Sequence, residues 1–356
     1  MRLGRERRPK LASISLKGVE SLKAKVEEAY NENPDIESYV VHDNRDEDFE
    51  VYFRDIITSQ NLKTLVLDYD RLSSTLKVQE ILSSSVNIGK GIQRVREVSM
   101  RREDYATFLQ RDLGLHEDAM YNDSNSKEID GALARIFAIK EPYREDPLVV
   151  ISTAKQPPSS LPNLPRNAEE HLAEALRSNF LICGKTGAGK TYLLNYLMSK
   201  YFPKDKRLGI IQEFNEIYPP NEFTDLITIP PKKPGQKWND LEFLTEQSNL
   251  MRYDYLLVGE IKGSEAWPFV RNAASGVKCG ATTHGANATA CLKRVKSLCM
   301  LADGCDNEQT VEAFIKDAIN YVIVVDSGTV SSISKLTGTA NHGNFGLETV
   351  YGEAER

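Results

Sequence analysis

The sequence lacks any long run of apolar residues. Its 356 residues are 40% hydrophobic and carry a formal net charge of −6. No stretch approaches the ~20 consecutive apolar residues that a membrane-spanning helix needs. The first residues also lack the apolar core of a secretory signal peptide. We therefore expect a cytoplasmic protein with two domains.

Closely spaced cysteine pairs are also missing. The chain has five cysteines, and no two of them form a C-x-x-C motif. Such motifs supply the thiolate ligands of many structural zinc sites. The spacing argues against a structural zinc site, and we expect reduced thiols that mostly pack in the core. The cysteines are Cys183, Cys279, Cys291, Cys299 and Cys305.

Positive charge is concentrated at the start of the chain. The segment MRLGRERRPK, residues 1–10, contains four arginines and one lysine. It is either a disordered tail or a basic arm that contacts anionic lipid, where each charge contributes about 1 kcal/mol. The acidic balance of the whole chain argues against general nucleic-acid binding, and we expect no sequence-specific nucleic-acid partner.

What the sequence does contain is a glycine-rich loop between an apolar run and an amphipathic segment. ICGKTGAGKTYLL, residues 182–194, has the G-x-x-x-x-G-K-[ST] spacing of a phosphate-binding loop. Glycines let several backbone N–H groups turn toward one phosphate group, and the N-terminus of the following helix faces the same group. The residues predicted to bind the nucleotide are Gly184, Lys185, Thr186, Gly187, Ala188, Gly189, Lys190 and Thr191.

Two side chains of this loop have distinct expected roles. The ammonium group of Lys190 is expected to reach the β- and γ-phosphates of a nucleoside triphosphate. The hydroxyl group of Thr191 is expected to bind Mg²⁺. The predicted ligands are therefore ATP and Mg²⁺.

A proline-rich segment divides the chain. QPPSSLPNLPRN, residues 156–167, contains four prolines and two serines, a composition typical of a stiff linker. Residues 1–155 before it mix strand and helix patterns, which predicts a smaller α+β N-terminal domain. Residues 168–356 alternate short apolar runs with amphipathic helices, which predicts an α/β domain of the P-loop NTPase (RecA-like) type with a mostly parallel sheet.

Individual elements are predicted in both domains. In the first domain the patterns indicate an amphipathic helix over 19–30 and one charged helix over 91–112, with strands over 64–69 and 147–153. In the second domain they indicate strands over 179–183, 208–213 and 255–260, and helices over 191–202, 240–252 and 264–275.

Carboxylates follow two of the predicted strands. YLLVGE ends in Glu260, which is predicted to hold Mg²⁺ through water or to orient the attacking water. LGIIQEFNEIY ends its strand with Glu213, and Glu216 follows three residues later. These two acids either reach the same magnesium shell or are surface residues. Ligands of parallel sheets bind at the carboxyl ends of the strands, where all three acids are expected.

The segment GVKCGATTHGANA contains His284 and is small and polar. The sequence leaves two roles open for His284 and the two threonines before it. They either sense the γ-phosphate or make structural hydrogen bonds, as a single histidine more often does.

These segments, in this order, resemble the secretion ATPase superfamily over about residues 130–335. The most similar segments are NFLICGKTGAGKTYLLNYL and LMRYDYLLVGEIKGSEAW, the second matching the Walker B region of the family. GIIQEFNEI is similar to the acidic "Asp box" of the family, and SGVKCGATTHGANA to its His box. The chain departs from the family pattern at Gln212, where an acid is usual, at Val277, where a histidine is usual, and at Ser152 and Lys262, where arginines are common.

The resemblance implies a hexameric ring of two-domain subunits that holds ATP between the domains. It also implies that arginines before the linker serve the nucleotide site, and Arg135 and Arg144 are the candidates. The missing C-x-x-C pairs disfavour the type II secretion and pilus-extension branches. We expect a cytoplasmic ATPase motor, peripheral at the inner membrane face, that energises a membrane-embedded type IV secretion or conjugation machine.

Three alternatives stay open at this stage. The chain could be a motor of the pilus-retraction type. The altered His box and Gln212 also fit an assembly module that binds nucleotide and hydrolyses little of it. An unrelated P-loop enzyme, such as a small-molecule kinase, would need an acceptor site for which the sequence has no signature.

Overall fold

A computed structural model describes residues 11–16, 29, 32, 38–43, 48–59, 62–82, 91–115, 123–139, 146–154, 164, 166–229, 240–338 and 345–353. The chain divides into two compact units, Met1–Lys155 and Gln156–Arg356. The basic segment 1–10, nearly all of the helix predicted over 19–30 and most of the proline-rich segment lie outside the described residues. Among the described residues, no helix combines the length and the apolar character that a bilayer span requires.

The first unit is built on one mixed sheet of eight strands, in the order β1-β2-β5-β4-β3-β8-β7-β6. Strands β1, β2 and β5 run parallel to one another, and the other neighbouring pairs are antiparallel. The strands are β1 (Leu11–Leu16), β2 (Ser38–Asp43), β3 (Leu62–Asp70), β4 (Thr75–Leu82), β5 (Gly91–Ser99), β6 (Asp123–Ile129), β7 (Ala132–Ile139) and β8 (Leu148–Ala154), and the described helices are α1 (Phe49–Ile57) and α2 (Arg102–Leu113).

The core of this unit lies between the sheet and the two helices. Phe49 and Phe53 of α1 pack against Phe108 of α2, with ring centroids 5.1 and 4.9 Å apart. The side chain of Asp48 caps α1 by accepting from the backbone N–H groups of Glu50 and Val51. The strands predicted over 64–69 and 147–153 are confirmed as parts of β3 and β8.

The single helix predicted over 91–112 is wrong in its first half. Residues 91–99 form β5, and the helix begins at Arg102. Arg94 lies opposite Glu80 of β4 and donates to both oxygens of its carboxylate, at 2.7 and 2.6 Å. Because Glu80 is only 1% exposed, its charge needs such a partner on the neighbouring strand. This pairing between strands favours a strand over a helix at residues 91–99, and the spacing of the charged residues along the sequence does not reveal it.

The second unit contains another eight-stranded sheet, in the order β11-β10-β12-β13-β9-β14-β15-β16. The first six strands in this order are parallel, and β15 and β16 are antiparallel additions at one edge. The strands are β9 (Phe180–Cys183), β10 (Leu208–Gln212), β11 (Thr224–Thr228), β12 (Tyr255–Ile261), β13 (Lys278–Thr283), β14 (Tyr321–Asp326), β15 (Thr329–Leu336) and β16 (Leu347–Gly352). The described helices are α3 (Arg166–Leu176), α4 (Lys190–Tyr201), α5 (Asp240–Gln247), α6 (Ala266–Ala274), α7 (Ala288–Cys299) and α8 (Glu308–Ala318).

Helices cover both faces of this sheet, as an α/β fold requires. Alternate residues of the buried strand β9 enter two different cores. Leu181 and Cys183 belong to the core that includes α6, α7 and α8, and Phe180 and Ile182 to the core that includes α3 and α4. The predicted α/β fold with a mostly parallel sheet is confirmed. The helix predicted over 240–252 ends at Gln247 and continues as a 3₁₀ turn.

Small residues mark β13, which the sequence analysis did not predict as a strand. A Cβ atom at Gly280 would lie 2.4 Å from the ring of Phe180 on the neighbouring strand. The ring of Phe180 therefore restricts position 280 to glycine. All five cysteines are buried free thiols, as predicted, and burial raises the pKa of Cys279 and Cys299.

A buried asparagine joins the amino ends of the central strands. The side-chain amide of Asn179 donates to the carbonyl groups of Ala273 and Ala318, at 3.2 and 2.6 Å. Its oxygen accepts from the N–H of Cys279 on β13 at 2.9 Å, and its own N–H donates to Asn320 at 3.0 Å. Because Asn179 is 7% exposed, water cannot easily replace these bonds.

Replacing Asn179 by alanine is expected to lower the free energy of unfolding by about 3 kcal/mol, because three buried backbone groups lose their partner. Both tryptophans, Trp238 and Trp267, lie in the second unit, so their fluorescence during denaturant unfolding follows that unit. The matched control is Asn249→Ala on the exposed 3₁₀ turn, which should change stability by less than about 0.5 kcal/mol. Equal effects of the two substitutions would contradict the proposed anchoring.

Candidate nucleotide-binding site

The glycine-rich loop lies between the carboxyl end of β9 and the start of α4. Gly187 and Gly189 have φ angles of +73° and +96°, in the left-handed region that glycine tolerates best. Gly184 is restricted by a close approach instead, since a Cβ atom there would lie 2.3 Å from the carbonyl oxygen of Val325 on β14. The turn after β14 is tied to the same loop, because Gly328 donates its N–H to the carbonyl of Ala188 at 2.8 Å.

The amino end of α4 has the donors that an anion requires. Gly189 occupies the cap position, and no side chain of the described residues caps this helix. The first-turn N–H groups of α4 therefore need another acceptor. With the left-handed glycines and a lysine at the first helical position, this arrangement fits a bound phosphate group. Lys185, Thr186 and Gly187 are exposed in the loop, whereas Ala188 is buried.

Lys190 is 8% exposed and directs its ammonium group back to the loop. Nζ donates to the carbonyl oxygens of Gly184 and Lys185, both at 3.2 Å, and lies 3.4 Å from Nδ1 of His284. Burial lowers the pKa of Lys190, and the negative charges of Glu260 and Glu216 oppose that shift. Lys190 is thus bound to the loop, and a phosphate group would have to draw its ammonium group away from these acceptors.

A β-bulge places Glu260 at the site. The pairing of β12 with β13 shifts between Val258 and Ile261, so two residues of β12 oppose one of β13. Thr282 donates its hydroxyl to the carbonyl of Gly259 at 2.7 Å, and Thr283 donates to that of Ile261 at 2.9 Å. These threonines are 2% and 0% exposed, so the structural role left open for them is the one that the structure supports.

His284 connects Glu260 with the loop lysine. Its Nε2 lies 2.7 Å from Oε1 of Glu260, and both side chains are 34% exposed. Together with the contact to Lys190, this brings three predicted site residues into one hydrogen-bonded group. They come from the ends of three neighbouring parts of the sheet: the loop after β9, the bulge of β12 and the end of β13.

The two other predicted acids have different surroundings. Glu213 pairs with Nζ of Lys262, a contact between the ends of β10 and β12. Glu216 is half-buried, and its carbonyl accepts from the side-chain amide of Asn195 on α4 at 2.9 Å. Burial lowers the pKa of Lys190, and the negative charge of Glu216 is one of those that oppose this shift.

Two buried polar residues were not predicted as parts of the site. Gln212, 2% exposed, accepts the N–H groups of Glu216 and Ile217, both at 3.2 Å, and so shapes the turn after β10. Glu265, 1% exposed, accepts the N–H groups of Lys262 and Gly263 at 2.6 and 2.8 Å. Glu265 lies four residues after the end of β12 and immediately before α6, and it accepts from residues that precede it, so no helix-capping pattern identifies it in the sequence.

The remaining predicted ligands are the residues expected to bind Mg²⁺ and the two arginines of the first unit. Thr191 lies half-buried in the first turn of α4. A hydroxyl and a carboxylate are a donor set that fits Mg²⁺, which keeps several water ligands beside one or two protein oxygens; Thr191 and Glu260 stay the predicted metal-site residues. Arg135 is exposed on β7 of the first unit, and Arg144 lies outside the described residues, so their roles stay predictions.

The chain is similar to several known proteins. Residues 161–327 match the family described as type II/IV secretion system protein. The chain is 29% identical over 151 residues to the type IV secretion system protein PtlH of Bordetella pertussis, covering 41% of this chain and 44% of the relative. It is 32% identical over 129 residues to the protein VirB11 of Agrobacterium fabrum, covering 36% of this chain and 37% of the relative.

These sequence matches span less than half the length of the curated relatives. A solved structure shares the fold over a larger part of the chain. The X-ray structure of the Legionella pneumophila ATPase DotB superposes with a TM-score of 0.53 at 13% sequence identity, covering 80% of this chain and 74% of that one.

Alanine at Gly184 is expected to reduce stability by about 2–3 kcal/mol, because the added Cβ collides with the backbone of β14. Alanine at Gly187 meets no atom within 4 Å and should cost only about 1 kcal/mol, the strain of a left-handed alanine. Tryptophan fluorescence during denaturant unfolding measures both. A larger loss of stability for Gly187→Ala than for Gly184→Ala would show that the left-handed backbone conformation, and not the close approach of β14, decides which residues the loop accepts.

Proposed function

Because the chain belongs to the secretion ATPase superfamily, as its motifs predict, we propose that it is an ATP-hydrolysing motor of a type IV secretion or conjugation machine. The observation that carries the proposal is the meeting of Lys190, His284 and Glu260 beside the loop. A phosphate-binding cation and a carboxylate that can orient water then lie within one small region. Phosphoryl transfer to water depends on these two groups for positioning and electrostatics.

In this proposal the loop binds ATP through backbone N–H groups and Lys190. The free N–H groups at the start of α4 point at the phosphates, and Lys190 leaves its carbonyl acceptors for the β- and γ-phosphates. Glu260 orients the attacking water and accepts its proton. A magnesium ion, when bound through Thr191 and water-linked Glu260, would neutralise charge on the phosphate oxygens.

The other predicted residues act at the edge of this region. Glu216 adds negative charge near Lys190. Glu213 acts through its ion pair with Lys262, which connects the ends of two strands that border the site. Arg135 and Arg144 are proposed to close over the phosphates of a neighbouring subunit, as the family pattern implies. Each of these roles is a part of the proposal.

The wider biological role also follows from the relatives. PtlH is a type IV secretion system protein, and we infer a peripheral position at the inner face of the membrane next to an embedded secretion complex. A hexameric ring would place the arginines of one subunit at the nucleotide of the next. A motor needs such coupling between subunits, whereas a small-molecule kinase does not.

Glu260→Gln is expected to separate ATP binding from hydrolysis. Glutamine keeps the size of the side chain and loses the charge that orients water. Turnover should fall by a factor of about a hundred or more, while ATP affinity stays within about tenfold. Phosphate release and calorimetry measure the two effects.

Two controls make this experiment specific. Lys190→Ala should lose nucleotide binding itself, and Glu246→Gln, an exposed helix residue paired only with Arg271 among the described residues, should behave as wild type. If Glu260→Gln hydrolyses ATP at the wild-type rate while Glu213→Gln or Glu216→Gln is inactive, the catalytic carboxylate is misassigned. If wild type has no turnover even with membranes and secretion components, the nucleotide-binding assembly module replaces the motor.

Light scattering after size exclusion is expected to give six times the mass of one chain in the presence of a non-hydrolysable ATP analogue. The reason is that residues of a second subunit are proposed to complete each nucleotide site. The Lys190→Ala variant, which cannot hold the analogue, should show less of the ring. A strict monomer under every nucleotide condition would favour the kinase alternative.

A further inference from the structure

The ammonium group of Lys190 has no hydrogen-bond donor to spare. It carries three N–H bonds, and three acceptors surround it: the carbonyls of Gly184 and Lys185 at 3.2 Å and Nδ1 of His284 at 3.4 Å. A phosphate group can recruit this lysine only by displacing some of these acceptors. The resting contacts therefore compete with the nucleotide.

The chemistry of the partners fixes the direction of the hydrogen bonds at His284. A lysine ammonium donates and never accepts, so Nδ1 must offer its lone pair. In a neutral imidazole the proton then resides on Nε2, which is the nitrogen 2.7 Å from Oε1 of Glu260. A carboxylate accepts such a proton. The donors run in one direction, from Lys190 to His284 to Glu260.

We propose that His284 is a positioning residue that couples occupancy of the phosphate loop to Glu260 through this directional chain. The inference rests on the proposed function only in that the loop binds nucleotide phosphates. In the nucleotide-free state, the cation at Nδ1 polarises the ring and strengthens the bond from Nε2 to Glu260. Oε1 of the carboxylate is thus occupied while the loop is empty.

Nucleotide binding reverses this arrangement. When Lys190 turns to a phosphate, Nδ1 loses its donor, and the Nε2–H group becomes a weaker partner for Glu260. An oxygen of Glu260 is then available to a water molecule. Because Lys190 also contacts the β-phosphate, a nucleoside diphosphate is sufficient to break the contact with His284. A direct sensor of the γ-phosphate, the role left open by the sequence, would respond to the triphosphate alone.

The protonation pattern of His284 is tested by magic-angle-spinning ¹⁵N NMR of the sedimented full chain labelled at histidine. The chain has five histidines, and the signal missing in His284→Gln identifies the residue. Without nucleotide the proton should be on Nε2, and ADP in the presence of a chelator should shift the Nδ1 signal. Lys190→Ala should produce a comparable shift with no ADP added. A proton on Nδ1, or an Nδ1 signal that ignores both changes, would overturn the proposal.

Binding measurements give a second and independent test. Removing the acceptor in His284→Ala leaves Lys190 with one fewer competitor, so ADP and a non-hydrolysable ATP analogue should both bind about threefold more tightly. His284→Asn keeps an oxygen near the position of Nδ1 and loses the bond to Glu260. Its ADP affinity should match wild type, because Lys190 keeps its third acceptor. Unchanged ADP affinity with weaker binding of the ATP analogue in His284→Ala would instead assign a γ-phosphate sensor.

The matched control is His171→Ala. His171 is a partly exposed histidine of the same unit, on α3, and its Nδ1 lies 3.9 Å from Glu174. The His171→Ala substitution should leave ADP affinity and kcat unchanged. Unfolding followed by tryptophan fluorescence should show that each His284 variant folds. The tautomer and ADP results do not require turnover. If wild type hydrolyses no ATP while the tautomer and ADP results are as expected, the motor function is contradicted and the coupling stands. If wild type hydrolyses ATP normally while neither result is as expected, the coupling is contradicted and the motor function stands.

Discussion

The buried amide of Asn179 fixes the part of the sheet on which the site depends. Its oxygen accepts from the start of β13, and the backbone N–H of Asn179 donates to Asn320 just before β14, so the three strands begin in register. Each strand is only four to six residues long. The opposite ends of the same strands carry the glycine-rich loop, His284 and the turn that contacts Ala188. Errors of register at Asn179 would therefore reach the site within a few residues.

Buried polar side chains, more than apolar packing, shape the loops around the site. Gln212 satisfies two backbone N–H groups after β10, and Glu265 satisfies two after β12. This gives a physical reason for the unusual residue Gln212. A buried amide can accept both N–H groups without burying a charge at this turn. The neighbouring ion pair of Glu213 with Lys262 then remains at the partly exposed rim.

Much of the second unit could be predicted because its signals are local. The apolar run before the loop, the glycine spacing and the strand ending in Glu260 each lie within a few residues of one another. The strand β13 escaped prediction in part because Phe180, one hundred positions before Gly280, requires a glycine there in place of an apolar strand residue. The strand β5 escaped because Glu80 pairs with Arg94 across the sheet. The bond between His284 and Glu260 likewise depends on a bulge that no spacing of residues reveals.

Glu213 and Glu260 have different partners, and this difference is the reason why Glu260 is proposed as the acid that orients water. Glu213 faces the ammonium group of Lys262, in an ion pair at the partly exposed rim. Oε1 of Glu260 instead faces Nε2 of His284, and the second oxygen of this carboxylate is left for another partner. The same ring contacts Lys190, so in the proposed mechanism one side chain separates the charge that binds phosphate from the charge that orients water. The proposed coupling from the loop to Glu260 therefore needs no movement of the sheet.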